Sequence, residues 1–466
     1  MTNFMTTTDY RPLSWVAAMA LFMQSLDATI LNTALPAIAA DLHEPAFEMQ
    51  MVIISYSLAV ALFMPLTAWI SARYGARSIF QTAVFLFILG SIACAVATSL
   101  NILVWTRVLQ GCGGAFMMPV ARLAIIQIVP KHQLLYAWNL MATAGLIGPI
   151  LGPILGGWFV SHISWHWIFL INIPIGIAGI FAARLVIPNI RGEIHKLDWS
   201  GYLLFASGLV GSTLGLDLLS ETTQNNLITY LILVAGFLLM GAYYQFAKNN
   251  ENAILPLSLF QVRTFKLGMI ANACIRLSAS GIPFLLPLMF QLAFGYSAEM
   301  SGWLLAPIAV TSVVFKTFVV RILARFNYKT TLIVVSICMG LSIVSMAFLR
   351  ADTPMWQIVL NLVCYGACMS IIFSAINTLT VGDLSSQQAG AGSTMLSIMQ
   401  QVGIGFGIAV SSILLAIFRY FYGDTGERLQ LAFSYTFIAS SLFALLLVWT
   451  LSFLNKTDGD HLRHKV

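Results

Sequence analysis

Three observations predict an all-α polytopic membrane protein in which two six-helix bundles flank two inserted helices. The 466-residue chain is 59% hydrophobic and only 9% charged, whereas a soluble domain is about 25% charged and needs those charges to cover its surface. Apolar runs of about 20 residues recur from end to end, each long enough to cross a hydrocarbon core of about 30 Å as a helix. Two halves of the chain also resemble one another at an offset of about 250 residues, and such repeats are a habit of membrane proteins that rock around a central site.

Apolar runs set against polar breaks place helices near 14–38, 47–70, 78–97, 102–127, 137–160, 166–187, 199–218, 227–247, 266–288, 299–320, 330–349, 355–378, 391–418 and 432–454, about fourteen spans. The runs are continuous and lack period-2 alternation, which argues against a β-barrel. The first run is too long for a signal-peptide core and no small-residue cleavage site follows it, so it is expected to stay as a span.

Basic residues set the orientation. With the N-terminus in the cytoplasm, the inner segments hold Arg11, Arg73, Arg77, Lys131, Arg191, Lys196, Lys248, Arg263, Lys266, Arg325, Lys329, Lys456, Arg463 and Lys465, and the outer loops hold Arg350, Arg419 and Arg428. That asymmetry places both termini in the cytoplasm. It also accounts for the net charge of +6 without a nucleic-acid partner, which would need a clustered basic face on a folded domain. All six cysteines fall inside the spans and are expected to be packed thiols.

The repeat is clearest in the turn after the second span of each half, where Ala72-Arg73-Tyr74-Gly75-Ala76-Arg77 returns as Ala324-Arg325-Phe326-Asn327-Tyr328-Lys329. In the fourth spans, Gln110-Gly111-Cys112-Gly113 falls where Tyr365-Gly366-Ala367-Cys368 stands. The expected division is an N-terminal six-helix bundle at 1–187, two inserted helices with their linkers at 188–262, and a C-terminal six-helix bundle at 263–466. Repeated bundles with a site at their interface are the architecture of secondary transporters.

Asp27 lies near the middle of the first span. A carboxyl there is costly unless it faces a partner or a cavity, and low polarity favours its protonated form, so it is a candidate proton carrier. Arg107 opens the fourth span and either snorkels outward or reaches into the bundle; paired with Asp27 it would oppose that desolvation. Gly148, Gly152 and Gly156 share one helix face in a run that also holds Pro149 and Pro153, which suits close packing together with a bend, the makings of a gate. Gly403, Gly405 and Gly407 mark the matching span without prolines.

Arg276 sits near the midplane of the ninth span and Lys316 in the inner part of the tenth. With almost no other acid in the bundles, both are expected to meet a substrate's negative charge, with Gln24 and Asn32 as polar neighbours. Arg122 and Arg184 lie close enough to the ends of their spans to act as anchors. His162 and His166, four apart beside Trp165 and Trp167, fit an aromatic interfacial belt better than a metal pair, for no third ligand is in view. No nucleotide-binding motif, cofactor site or metal site is present in the sequence, and no cluster has the spacing of an enzyme's catalytic residues.

These residues resemble the major facilitator superfamily, and within it the fourteen-helix drug:proton antiporter branch. Leu26 to Pro36 is similar to that branch's first-helix motif, Arg107 to Gly114 to its fourth-helix motif, Gly145 to Gly157 to its fifth-helix antiporter motif, and Trp165 to Gly176 to a further characteristic run. The wording MQSLDATILNTALP resembles the MdtD subgroup of multidrug exporters. The resemblance covers essentially the whole chain. It implies an inner-membrane exporter working by alternating access, with Asp27 and Arg107 coupling protons and Gly148, Pro149, Gly152, Pro153 and Gly156 as a gate. Arg73 and Arg77, also expected in gating, lie in the family's turn between the second and third helices, where an Asp usually precedes the Arg and this chain has Ala72, so an inward-facing state should be easier to populate. The expected partners are protons, a small-molecule substrate and lipid, with the chain acting as a monomer. The rival expectations are an importer or symporter of the same fold, or a ligand sensor that does not transport.

Overall fold

The computed structural model describes residues 11–129, 133–192, 197–220, 227–248, 250, 253–385 and 388–462. Among them are fourteen helices long and apolar enough to cross a membrane. They are α1 Arg11–Leu42, α2 Ala46–Tyr74, α3 Ala76–Ala95, α4 Leu100–Ile128, α5 Leu134–His162, α6 Trp167–Val186 and α7 Trp199–Ser220. The chain continues with α8 Leu227–Lys248, α9 Arg263–Ala293, α10 Ala298–Arg325, α11 Tyr328–Met346, α12 Met355–Gly382, α13 Ala389–Tyr422 and α14 Gly426–Ser452. Each of the fourteen expected spans therefore corresponds to one helix. Both chain ends, and Lys131, Lys196, Arg463 and Lys465 of the orientation count, lie outside the described residues.

The helices pack as two groups. In the first, α1 lies on α5 and α6, α4 on α2 and α3, and α3 on α6; in the second, α9 lies on α12, α13 and α14, α11 on α12 and α14, and α10 on α12. The repeat survives in the contacts. A Cβ at Gly111 of α4 would strike the Tyr56 carbonyl of α2, and a Cβ at Gly366 of α12 would strike the Ile308 carbonyl of α10. Small residues at matching places let matching backbones touch.

The α7–α8 hairpin is held by glycines. Gly208, Gly211 and Gly215 of α7 pack on Met240, Gly236 and Leu233 of α8. α7 is then tied to α2 at both ends: Trp199 meets Trp69 edge-on at 6.1 Å, and the buried Asp217 accepts from Gln50 Nε2 at 3.2 Å. α7 also lies against α13 of the second group.

Between α2 and α3 the chain turns on Gly75, whose φ of +93° suits glycine. The segment following α6 folds back across this turn. Ala76 N donates to Ile190 O at 3.1 Å, Gly192 N to Ala72 O at 3.2 Å, and Ser78 N to Asn189 Oδ1 at 3.2 Å. In the second group the segment after α14 does the same to the α10–α11 turn: Lys329 Nζ donates to Ser452 O at 2.7 Å, and Gly459 packs on Tyr328. The end of the bundle carrying these turns, with Arg73, Arg77, Arg263, Arg325 and Lys329, is here termed the basic face.

Cys94 and Cys368 are buried and Cys112 and Cys274 half-buried, but Cys338 and Cys364 are exposed on the outside of the bundle. All six are free thiols. The expectation of packed thiols is thus corrected for two of them, because hydropathy marks a span without telling its lipid-facing side from its protein-facing side.

Candidate functional site

Two deeply buried charges form one cluster in the first group. Asp27 of α1 and Arg107 of α4 are each 1% exposed, and Arg107 Nη1 lies 2.7 Å from Asp27 Oδ2. The other carboxylate oxygen accepts from Gln110 Nε2 at 2.8 Å and from Asn172 Nδ2 of α6 at 3.3 Å. Arg107 also donates from Nε to Val52 O at 3.1 Å and from Nη1 to Gln110 Oε1 at 2.6 Å, and its guanidinium stands 4.5 Å from the Tyr56 ring centroid. Ser91 Oγ closes the network by accepting from Gln110 Nε2 at 2.9 Å. A buried ion pair is tolerable only when its remaining donors and lone pairs are satisfied, and here nearly all are. Arg107 thus reaches inward and does not snorkel. Gln110, Asn172, Ser91 and Tyr56 were not singled out from sequence. Of these, Gln110 left a signal one helical turn beyond Arg107, and Asn172 falls inside the characteristic Trp165 to Gly176 run.

Arg107 also borders a cavity of about 460 Å³ between the two groups. α1 contributes Gln24, Ser25, Thr29 and Asn32; α9 contributes Arg276 and Ser280; α13 contributes Ser397, Gln400 and Gln401. Apolar cover comes from residues such as Ile53, Met118, Phe284, Met369 and Phe373. Gln24, Asn32 and Arg276 therefore line one space. The Arg276 guanidinium lies 4.3 Å from the Phe373 ring centroid, and its Nε is buried with no hydrogen-bond partner.

Two basic residues fall differently from expectation. Lys316 is exposed on α10 and takes no part in the cavity lining. A rotation of about 100° per residue separates one face of a helix from another, and hydropathy alone could not fix the register of α10. Arg122, expected as an anchor, is exposed and also lines the cavity at its basic-face end. Arg184 is exposed. Among the described residues no Asp or Glu lines the cavity.

α5 joins the two groups. Gly148 and Gly152 face Ser25 and Thr29 of α1, and Gly156 faces Ile30 and Thr33, so closely that a Cβ at any of them would collide. The helix runs unbroken through Pro149 and Pro153, and Thr33 Oγ1 donates to the Pro153 carbonyl at 3.4 Å. On its other side, Gly157 abuts the Ala298 carbonyl, and the Pro153 carbonyl abuts Gly302 of α10. In the second group, Gly403 and Gly407 of α13 lie on Arg276 and Ser280 of α9. Arg276 therefore occupies, against its glycine, the place that Ser25 has in the first group.

The two groups meet where α5 lies on α10 and where α2 and α7 lie on α13, and several side-chain contacts lie at the end opposite the basic face. Besides the α5–α10 contacts, Gln291 Nε2 donates to Thr33 O at 3.0 Å, His162 Nε2 lies 3.9 Å from Glu299, and the Arg419 guanidinium stacks 3.5 Å from the Phe47 centroid. His162 also stacks on Trp158, and His166 on Trp165. Among the described residues no three of His, Cys, Asp and Glu come together as metal ligands. At the basic face, Arg73 is exposed and stacks on Trp69 and Tyr74, while Arg77 Nη1 donates to the Arg184 carbonyl at 3.4 Å. Both arginines therefore act within the first group, beside the Gly75 turn.

The chain is 69% identical over 454 residues to the Haemophilus influenzae protein named "Probable transport protein HsrA", covering 97% of this chain and 98% of that one. It is 39% identical over 436 residues to the Escherichia coli K12 protein named "Putative multidrug resistance protein MdtD", covering 93% and 92%. Among solved structures it resembles a D-xylose–proton symporter, with TM-score 0.69 and 12% identity over 96% of this chain and 98% of that one. It also resembles a bacterial homologue of the lysosomal transporter Spinster in an inward-facing, unoccupied conformation, with TM-score 0.65 and 14% identity over 96% and 97%. At such identities the likeness establishes the fold. The family model described as Major Facilitator Superfamily matches residues 17–408 and 268–464. With that match, and with relatives alike over nearly their whole length, the chain belongs to the Major Facilitator Superfamily, whose members are transport proteins and not enzymes.

Proposed function

We propose that this protein is a proton-coupled secondary exporter of small amphiphilic or anionic organic compounds such as drugs, metabolites or carboxylate siderophores. It would work by alternating access in the bacterial inner membrane as a monomer, with both termini in the cytoplasm. The observation that carries this proposal is the buried Asp27–Arg107 pair at the edge of the interbundle cavity. A proton arriving at Asp27 cancels the charge that holds Arg107. The guanidinium is then left without a counter-ion in a low-dielectric site, and the nearest relief is the cavity that it already borders. Proton occupancy and cavity occupancy thereby compete.

With the basic face in the cytoplasm, the closed contacts lie on the outer side and the cavity reaches toward the inside. An inward-facing resting state is part of the proposal, in keeping with Ala72 at the gating turn. Residues 1–187 and 263–466 are proposed as the two moving bodies, with 188–262 riding on the first through α2. The export direction rests on the resemblance of the α5 run to the antiporter motif and on the name of the MdtD relative. A symporter-type importer is the second proposal; the likeness to a D-xylose–proton symporter favours it at the level of fold alone.

The test is flux in inverted membrane vesicles under an imposed proton gradient, comparing a lipophilic cation with an organic anion. Gradient-driven accumulation that Asp27→Asn abolishes supports antiport. Accumulation in right-side-out vesicles only, along the proton gradient, would establish symport. Binding with no flux in either orientation would leave a ligand sensor.

A further inference from the structure

We infer that the substrate carries two acidic groups held several bonds apart, one for Arg276 and one for Arg122. This rests on the transport function proposed above. Among the described residues three arginines line the cavity, and of these Arg107 has a counter-ion, Asp27. Arg276 has its Nε buried and unpartnered, with the Phe373 ring on its guanidinium. Arg122 enters the same cavity from the opposite group, on α4. Among the described residues no carboxylate lines the cavity, so the half-buried Arg276 and the exposed Arg122 bring two positive charges to a partly open space without an acid in its lining. Uncompensated guanidiniums in such a place are recognition groups for carboxylate, phosphate or sulfonate.

Their separation follows from the repeat. Arg276 holds the level of Ser25, because each is the residue of its helix that lies on the first glycine of the facing stripe, Gly403 or Gly148. Gln24, next to Ser25, donates to the Gly114 carbonyl at 3.4 Å. Arg122 is eight residues further along α4, about 12 Å nearer the basic face at the helical rise. Two side chains reaching toward each other shorten that gap without closing it. An elongated ligand with an acid at each end spans it, and a compact dianion reaches only one arginine. The middle of such a ligand would lie against Met118, Met369 and Phe373, with Gln400 and Gln401 as hydrogen-bonding neighbours.

The experiment is binding of succinate, adipate, suberate and sebacate to the purified full chain by titration calorimetry, each beside its monomethyl ester, in the native protein and in Arg122→Gln, Arg122→Lys and Arg276→Gln. Affinity should rise with chain length to a maximum, and at that length the diacid should bind about tenfold or more tighter than its monoester, the worth of one charge-assisted contact. Arg122→Gln should erase the diacid–monoester difference, Arg122→Lys should restore part of it, and Arg276→Gln should weaken both ligands. Equal binding of diacid and monoester, or a difference untouched by Arg122→Gln, overturns the inference. Proton-driven flux of a cation without diacid binding sinks the two-headed anion and leaves the transporter standing. Diacid binding with no driven flux of any compound does the reverse.

Discussion

Arg107 Nη1 and Asp27 Oδ2 lie 2.7 Å apart with each residue 1% exposed, on helices that meet beside the interbundle cavity. Removing either partner strands the other. Arg107→Ala should destabilise the protein by about 3–5 kcal/mol, read as a fall in the thermal midpoint in detergent. Asp27→Asn should stop gradient-driven flux while substrate exchange across the membrane continues. The double variant Asp27→Asn with Arg107→Gln should recover stability relative to Arg107→Ala without recovering coupling. If stability and coupling return together, the pair is structural only.

The α5 stripe gives a second test. Gly152→Val must push against Thr29 and the Ile30 backbone, a clash worth about 1–3 kcal/mol if the helices part slightly and more if they cannot. Flux should fall even where folded protein is recovered. Gly241→Ala, on α8 with open space at its Cβ, should change neither yield nor flux. Equal effects of the two substitutions would remove α5 from the gate.

Lys316 and Arg276 separate two expectations that the sequence could not. Lys316 is exposed and outside the cavity, so Lys316→Gln should shift apparent substrate affinity by no more than about twofold, the scale of a surface change. A larger loss, measured as uptake against substrate concentration, would bring α10 back into the site.

His162 and Glu299 face each other at 3.9 Å across the end opposite the basic face. Cysteines at both positions should oxidise to a cross-link, and transport should stop until a reductant is added. Continued flux in the cross-linked protein would mean that this end does not open.

Asn189 holds the α2–α3 turn by accepting from Ser78 N at 3.2 Å and Ser78 Oγ at 3.3 Å. Asn189→Ala should cost about 1 kcal/mol of stability and raise protease access to the turn. Unchanged proteolysis would show that the fold-back after α6 is passive.

The spans and the repeat were legible because lipid imposes one rule on every helix, a long apolar run, and because duplicated contacts leave duplicated small residues such as Gly111 and Gly366. Asp27 and Arg107 were legible because each is expensive where it stands. What was illegible depends on rotation about a helix axis or on segments far apart in sequence. Arg122 and Lys316 have similar positions along their spans, yet one faces the cavity and the other does not. Asp217 on Gln50 and Asn189 on Ser78 join residues more than a hundred positions apart, and neither residue's own surroundings announce the contact.

α5 touches α1 through Gly148, Gly152 and Gly156 and α10 through Pro153 and Gly157. One rod is thus bedded in its own bundle and leaning on the other. If the bundles rock, the first set of contacts must travel with the rod while the second shears. Gly157 and Gly302 then behave as a bearing surface, where bulk would slow each stroke without unseating the rod, and the pace of the cycle becomes separable from the integrity of the fold.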